Sequence, residues 1–348
     1  MNTLDIQRDV PLAPLTTLEL GGPAKHFVRA QSESALIDAL RWAANENLRV
    51  AILGGGSNLI VPDAGYDGLV IQMGLADLEL RDGGLARVGA GVPWETLVDN
   101  AVSRGWAGVE CLTGIPGSTG ATPIQNVGAY GQEIAEVIER VHVVGRDTLA
   151  KEVLAAEECG FSYRNSLFKR EPARFIVTAV DFALRPGGGA AIRYPELERH
   201  VTPGASLADV RRAVLELRRR KSMVIDPHDP NRRSVGSFFL NPIVSSAEAD
   251  HLAEQAAIEG LVASPSEVPR YPAEGGRIKL AAGWLIDKSG IVKGTRGSAI
   301  GVSTKHALAL VHHGGGTTAE LLAFAEDIRS QVRDRFGVTL EREPRLLE

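Results

Sequence analysis

The sequence predicts an α+β protein with two or three domains, and three observations support this prediction. The chain of 348 residues is too long to fold around a single ordinary hydrophobic core. Helical and strand-like patterns occur in mixed order, without the regular βαβ repeats of a doubly wound sheet. With 44% hydrophobic and 23% charged residues, the composition is that of a globular protein without a disordered block.

The individual elements follow from hydrophobic spacing and from the residues that begin and end helices. Pro93 suits the first turn of a helix, and Gly105 suits the position after its last turn. Thr317 and Glu320 form the capping box that begins a final helix. The predicted helices cover residues 34–45, 93–104, 207–221 and 318–336, and the predicted strands lie near 49–53, 69–72, 86–90, 141–144 and 175–180.

Charge and cysteine content exclude several classes of function. A net charge of −5 gives no reason to expect nucleic acid as the main partner. The two cysteines, Cys111 and Cys159, fit no metal-binding spacing, so we expect neither a disulfide framework nor a metal site. The N-terminal residues lack the pattern of a signal peptide, and no window approaches the length of a membrane span. We therefore expect a cytoplasmic protein without membrane insertion.

Two glycine-rich segments are the most informative features of the chain. The first, Gly-Gly-Gly-Ser-Asn at residues 54–58, directly follows a predicted strand. The second, residues 114–131, contains five glycines and two prolines. Such backbone permits close approach of a ligand, and two loops of this kind can hold the two halves of a pyrophosphate, as a dinucleotide cofactor requires. The alternative for the first segment alone is an ordinary tight turn.

Three common signatures are missing from these segments. Leu59 occupies the last glycine position of the Rossmann fingerprint, and the chain contains no Gly-Lys-Ser/Thr of a P-loop. The Gly-x-Ser-x-Gly elbow of serine hydrolases is also absent, because Pro116 stands where Ser118 would need a glycine. The sequence therefore gives no support to these three classes of enzyme.

Two basic features each allow two interpretations. Arg164 lies among aromatic and hydroxyl residues in the segment FSYRNSLFK, residues 161–169. It either pairs with a carboxylate in a partly buried site or extends to solvent from a strand edge. The basic residues of the helix over 207–221 are either a solvated face or a site for a phosphorylated substrate.

Taken in order along the chain, these segments resemble the UDP-N-acetylenolpyruvoylglucosamine reductase family of flavoenzymes. The resemblance covers nearly the whole chain and implies a two-lobed FAD-binding domain of the vanillyl-alcohol-oxidase (PCMH) type, followed by a C-terminal α+β substrate-binding domain. The segments that carry it are LGGGSNLIV, GIPGSTGATPIQNVGAYGQEI, FSYRNSLFK, GSFFLNP, AAGWLID and LEREPR. The implied limits are 1–70 and 71–220 for the lobes, about 22–187 for the PCMH-type domain, 221–336 for the substrate domain, and about 337–348 for a tail that returns to the first lobe or the active site.

The resemblance implies an oxidoreductase of peptidoglycan precursor synthesis. Such enzymes reduce the enolpyruvyl group of UDP-N-acetyl-3-O-(1-carboxyvinyl)-glucosamine to give UDP-N-acetylmuramate, with NADPH as co-substrate and FAD as hydride carrier. Non-covalent FAD is expected, because no histidine stands between Ala51 and Val61. The residues implied to bind FAD are Gly54, Gly55, Gly56, Ser57, Asn58, Gly117, Ser118, Thr119, Gly120, Gln125 and Asn126.

Three residues match the catalytic positions of the family. Arg164 matches the arginine that meets the substrate carboxylate, Ser237 matches the proton donor, and Glu343 matches the C-terminal glutamate. The family commonly has Leu-Glu-Pro-Glu in this last region, whereas this chain has LEREPR at residues 340–345. Alignment on Arg345 selects Glu343 and leaves Glu341 as the alternative register.

The implied substrate contacts are Tyr194, which resembles the loop tyrosine of the longer family type, together with Lys221 and Asn241. Lys221 would meet the uridine diphosphate. We expect a monomer whose partners are the UDP-sugar and NADPH. Two other interpretations stay open, namely a flavin-dependent oxidase of the same fold that acts on an alcohol or hydroxy acid, and a nucleotide-sugar binding protein without catalysis.

Overall fold

The computed structural model describes residues 4–348, and the chain in it divides into two compact units. Unit 1 contains the described residues up to Pro11, together with Pro23–Gly56 and Gly65–Ile225. Unit 2 contains Leu12–Gly22, Ser57–Ala64 and Asp226–Glu348. The domain limits given above stay a prediction.

Helices and short strands are distributed over the whole described chain. The helices are α1 (Glu33–Asn45), α2 (Trp94–Ser103), α3 (Leu167–Arg170), α4 (Pro195–Glu198), α5 (Leu207–Arg220), α6 (Ser246–Ile258), α7 (Ala282–Lys288) and α8 (Thr318–Phe336). The strands are β1 (Gln7–Pro11), β2 (Pro23–Ala30), β3 (Val50–Leu53), β4 (Leu59–Ile60), β5 (Tyr66–Met73), β6 (Leu78–Arg81), β7 (Leu85–Gly89), β8 (Trp106–Ala107), β9 (Gly128–Ala129), β10 (Gln132–Glu133), β11 (Ile138–Gly145), β12 (Lys151–Ala155), β13 (Phe175–Ala183), β14 (Arg185–Pro186), β15 (Ile243–Val244), β16 (Arg270–Pro272), β17 (Ile278–Leu280), β18 (Ile300–Val302), β19 (Leu310–His312) and β20 (Arg345–Leu346).

The first sheet of unit 1 has the strand order β1-β2-β5-β3. Strand β1 is antiparallel to β2, whereas β5 is parallel to both β2 and β3. Helix α1 shares a buried apolar cluster with this sheet, because Leu36, Leu40 and Ala43 recur at helical spacing on one face. Since β3 ends at Leu53, the first glycine-rich loop begins at the end of a buried strand.

The second sheet of unit 1 has the order β12-β11-β13-β7-β6, and all its neighbouring strands are antiparallel. Helix α2 contributes Trp94 and Leu97 to the core of this sheet. The Trp94 and Phe182 rings lie 6.1 Å apart between centroids. The second glycine-rich segment begins after this helix and the short strand β8, which pairs with β14 in a separate two-stranded sheet.

The predicted elements are confirmed, with small corrections at their ends. Pro93 is the N-cap of α2 rather than a member of its first turn, because its ψ of 132° is extended rather than helical. Gly105, with φ of +69°, follows the C-cap of that helix as predicted. The basic helix α5 ends at Arg220, and Lys221 is its C-cap. The capping box of Thr317 and Glu320 is present at the start of α8.

Unit 2 combines α6, α7 and α8 with small sheets. Its three-stranded sheet has the order β15-β17-β16, β18 pairs with β19, and β20 pairs in parallel with β4. The core includes Phe238 and Phe239, whose rings meet edge to face with centroids 5.2 Å apart. Among residues 4–348, no helix combines the length and apolar character needed to cross a bilayer.

Candidate functional site

The two glycine-rich loops contact each other within unit 1. A Cβ added to Gly55 would lie 2.7 Å from the Cα of Gly117, and one added to Gly54 would lie 2.7 Å from Oγ of Ser118. A side chain at Gly55 would therefore collide with the backbone of the second loop, whereas one at Gly54 would meet the Ser118 hydroxyl, which can rotate. The loops form a cradle of bare backbone, which fits the close approach that a cofactor pyrophosphate requires.

The second loop is held by Ala90, Val92 and Trp94, which lie just before α2 and at its first residue. The Trp94 amide donates to the Gly117 carbonyl at 3.0 Å, and the Thr119 amide donates to the Val92 carbonyl at 2.8 Å. The buried Thr119 hydroxyl donates to that same carbonyl at 3.0 Å. The Gly120 amide donates to the Ala90 carbonyl at 3.0 Å. These bonds fix residues 117–120 as a short loop with a defined backbone path.

The remaining predicted cofactor residues occupy different environments. Ser57 and Asn58 belong to unit 2, where the Asn58 carbonyl accepts from the Arg345 amide at 3.1 Å. Gln125 is half-buried in unit 1. Asn126 is buried, and its side-chain amide donates to Glu133 Oε2 at 2.8 Å while its oxygen accepts from the Ala135 amide at 3.1 Å. The Asn126 side chain therefore stabilises the turn that follows the second loop.

Arg164 lies against that turn. Its Nη2 donates to the Gly128 carbonyl at 2.6 Å, and its Nη1 donates to the Asn126 carbonyl at 3.3 Å. Its guanidinium carbon lies 5.7 Å from the ring centroid of Tyr163. Arg164 adopts a φ of +51°, which is uncommon for a residue other than glycine and often marks a functional position. The guanidinium is therefore held at the second glycine-rich segment by backbone carbonyls.

Two candidate substrate residues lie together in unit 1 beside Tyr130. The rings of Tyr194 and Tyr130 meet edge to face with centroids 5.5 Å apart, and Lys221 Nζ lies 5.8 Å from the Tyr130 ring centroid. Lys221 also forms an ion pair with Glu196 at 2.5 Å. Burial raises the pKa of Tyr130 to about 12, so its hydroxyl stays protonated at neutral pH.

In unit 2, Ser237 is partly exposed between Gly236 and the buried Phe238. The Phe238 carbonyl accepts from the Glu343 amide at 2.9 Å, so the backbone of Glu343 lies next to the residue that follows Ser237. Glu341 is exposed, and its carbonyl instead accepts from the Leu240 amide at 2.9 Å. Of the two alternative glutamates, Glu343 is therefore paired with the backbone nearer to Ser237.

Asn241 has a clear local role in the same unit. Its Oδ1 accepts a hydrogen bond of 2.9 Å from the amide of Ala282, the first residue of α7. The interaction satisfies one of the amides that a helix start leaves without an intrahelical partner. Asn241 therefore connects the GSFFLNP segment to the start of the AAGWLID helix.

Sequence reasoning missed Tyr130 and Glu196, which both contact the side chain of the candidate substrate lysine, Lys221. The only signal for Tyr130 was its place in Ala-Tyr-Gly at the end of the second glycine-rich segment, where it adopts a φ of +49°. Both cysteines are buried, which raises the pKa of each thiol to about 12 and keeps it protonated. Residues 4–348 contain no cluster of three or more His, Cys, Asp or Glu side chains suited to a metal ion.

Comparison with known domain families shows the class of protein to which this chain belongs. Residues 24–149 match the FAD binding domain family, so this is a flavoprotein with a separate C-terminal domain. That second part, residues 227–347, matches the C-terminal domain of UDP-N-acetylenolpyruvoylglucosamine reductase.

Full-length relatives establish the family. The UDP-N-acetylenolpyruvoylglucosamine reductase of Thermobifida fusca (strain YX) is 47% identical over 98% of both chains. That of Salinispora arenicola (strain CNS-205) is 46% identical and covers 99% of this chain and 97% of the relative. The crystal structure of the Thermus caldophilus reductase aligns with a TM-score of 0.67 at 26% identity, over 99% of this chain and 100% of the other. The chain belongs to the UDP-N-acetylenolpyruvoylglucosamine reductase family, which confirms the resemblance, the α+β fold class and the FAD cofactor.

Proposed function

We propose that this protein reduces the enolpyruvyl group of UDP-N-acetyl-3-O-(1-carboxyvinyl)-glucosamine with NADPH and FAD, giving UDP-N-acetylmuramate for peptidoglycan synthesis. The observation that carries the proposal is the match to reductase relatives along the whole chain, through both the FAD-binding and the C-terminal parts. The substrate is a nucleotide sugar and the reductant is NADPH, so we place the reaction in the cytoplasm. We propose that the protein acts as a monomer.

The cradle of the two glycine-rich loops is the proposed site of the FAD pyrophosphate, with residues Gly54 to Asn58, Gly117 to Gly120, and Gln125. These residues would hold FAD without a covalent link, and the bound flavin would supply the chemistry of hydride transfer between NADPH and the substrate. The close contact of Gly55 with the backbone of the second loop supports this assignment, because it leaves no space for a side chain at that position. Asn126 is a further proposed FAD residue, and its buried side chain also supports the turn that follows the loop.

Arg164 is proposed to bind the substrate carboxylate. Hydride addition to the methylene carbon leaves negative charge on the adjacent carbon, and that charge is delocalised into the carboxylate. A fixed guanidinium stabilises this charge more strongly in the transition state than in the substrate. The hydrogen bonds from Arg164 to the carbonyls of Gly128 and Asn126 hold the guanidinium in place, as such stabilisation requires.

Ser237 is proposed to donate the proton that completes the reduction, and Glu343 is proposed to hold the polar environment of that step. A serine hydroxyl is a weak acid, but the carbon that it protonates is a strong base, so placement matters more than acidity. The two buried phenylalanines after Ser237 fix its backbone position. The bond from the Glu343 amide to the Phe238 carbonyl supports Glu343 rather than Glu341 for this role.

Lys221 is proposed to bind the diphosphate of the substrate, with Tyr194 and Asn241 as further contacts. The cluster of Tyr130, Tyr194 and Lys221 supports a site that offers aromatic surface and positive charge to a nucleotide. Glu196 pairs with the Lys221 ammonium in this structure, so the diphosphate would compete with a carboxylate for it.

Two anaerobic additions to the purified protein test the proposed function. We expect a yellow protein that is bleached by NADPH and regains its colour when the enolpyruvyl nucleotide sugar is added. UDP-N-acetylglucosamine, which lacks the enolpyruvyl group, is the control and should not restore the colour. A colourless protein, or no bleaching by NADPH, would contradict the proposal. Reduction of the flavin by an alcohol and reoxidation by oxygen would instead identify the oxidase.

A further inference from the structure

We infer that Glu95, in the first turn of α2, is a positioning residue that sets the entry of the second glycine-rich loop into the FAD site. The inference rests on the proposed role of this loop. Glu95 lies outside the segments that suggested the cofactor site, and its contact with the loop is made between positions 19 residues apart in the chain.

Glu95 binds the start of the loop with both carboxylate oxygens. Its Oε1 accepts from the Thr113 hydroxyl at 2.6 Å, and its Oε2 accepts from the Gly114 amide at 2.6 Å. Gly114 has a φ of +69°, a conformation that suits glycine at a sharp change of chain direction. The carboxylate therefore fixes the residue at which the chain turns into the loop, through hydrogen bonds strengthened by its charge.

Helix α5 holds the same position from the other side. Arg211 Nη2 donates to Glu95 Oε1 at 2.7 Å, and Arg218 Nη2 donates to the Gly114 carbonyl at 3.2 Å. Burial lowers the pKa of Arg218 from its ordinary value, which shows how far this guanidinium is removed from water. Both the amide and the carbonyl of Gly114 are thus bound by charged side chains, one from α2 and one from α5.

Backbone bonds hold the rest of the loop, so removal of Glu95 would act selectively on its entry. The amides of Trp94 and Thr119 bond to the carbonyls of Gly117 and Val92, and neither bond involves Glu95. Asp99, one turn further along α2, also pairs with Arg211. Asp99 pairs with Arg211, whereas Glu95 binds both Arg211 and the start of the loop, so Asp99 provides a matched control on the same helix.

The experiment compares full-length holoprotein with Glu95→Ala, Glu95→Gln and Asp99→Ala. Two temperatures are measured on each sample: that of FAD release, from flavin fluorescence, and that of unfolding, from circular dichroism. Hydrogen exchange of the peptide containing Gly114 is measured on the same samples. We expect E95A to release FAD well below its unfolding temperature, with a dissociation constant for FAD raised about tenfold or more.

The controls separate the outcomes. E95Q keeps one acceptor oxygen where Glu95 has two, so it can serve either the Gly114 amide or the Thr113 and Arg211 donors but not both sets, and we expect FAD affinity and exchange at Gly114 between those of E95A and the unaltered protein. D99A should match the unaltered protein in both FAD release and exchange. Equal weakening by D99A, release of FAD only upon unfolding in both Glu95 variants, or unchanged exchange at Gly114 would each overturn the inference. If the unaltered protein carries no FAD, the proposed function itself fails.

Discussion

Single residues decide whether the proposed cofactor cradle can form, and glycines are the clearest case. Gly54 and Gly55 contact the second loop where a methyl group would stand 2.7 Å from its atoms, closer than van der Waals contact allows. The positions of Arg164 and Ser237 depend on residues of another kind. Backbone carbonyls hold the arginine, and two buried rings follow the serine.

Substitution of Gly55 by alanine tests the cradle directly. The added methyl group would collide with Gly117 Cα, and the loops would have to separate. We expect the FAD content of purified G55A to fall by about tenfold or more, with an unchanged far-ultraviolet circular dichroism spectrum. Gly189→Ala is the control, because a Cβ there meets nothing within 4 Å and no positive φ applies. Normal FAD content in G55A would contradict the proposed cradle.

At the scale of elements, the second sheet of unit 1 carries a charged cluster across three strands. Arg87 on β7 stands opposite Asp181 on β13, with bonds of 2.7 and 2.9 Å to the two carboxylate oxygens. His142 on β11 lies 3.0 Å from the same carboxylate. Partial burial acts to raise the pKa of Asp181, but its hydrogen bonds to Arg87 and His142 outweigh that effect and lower the pKa.

This shift predicts a pH-dependent contribution to stability. A lowered folded-state pKa means that the contribution is complete above the ordinary value of 3.8 and is lost as the pH falls through the folded-state pKa. We expect Asp181→Asn to lower the free energy of unfolding by about 1 kcal/mol or more at pH 7, and the difference to shrink below pH 4. Urea unfolding at a series of pH values measures this. Asp67, the exposed partner of Lys25, is the control, and we expect Asp67→Asn to change the free energy of unfolding little. An effect of D181N that does not depend on pH would refute the assignment.

At the scale of the whole molecule, the two units carry different parts of the proposed chemistry. Unit 1 contains Gly54 to Gly56, residues 117–120, Arg164 and the cluster around Lys221, whereas unit 2 contains Ser57, Asn58, Ser237, Glu343 and Asn241. The reductase relatives match the chain over nearly its full length, so they share the segments of both units.

Local patterns predicted the helices and strands well, because the periodicity of each depends on residues that are close together in the sequence. The helix over 34–45, the strands at 141–144 and 175–180, and the capping box at Thr317 depend on such short-range signals. Long-range contacts were beyond this reasoning. The motif at 54–58 gives no hint that Ser57 belongs to unit 2, and nothing local to Glu95 indicates its bond to Gly114.

The residues of the candidate site could likewise be predicted where they lie in a local motif, but not where they depend on a contact with a distant part of the chain. Arg164 and Ser237 stand in distinctive segments, so a resemblance could select them. Tyr130 and Glu196 were missed because their importance arises from contact with Lys221. Glu196 lies 25 positions before Lys221 in the chain, and the packing of α4 on α5 brings the two residues together.

The half-reactions of Ser237→Ala test the central claim most directly. In an anaerobic stopped-flow experiment, NADPH should bleach the flavin of S237A at close to the rate of the unaltered protein. The enolpyruvyl substrate should then restore the colour at least about 100-fold more slowly, because the proton donor is gone. Recolouring at the unaltered rate, or an equal loss of both half-reactions, would contradict the account.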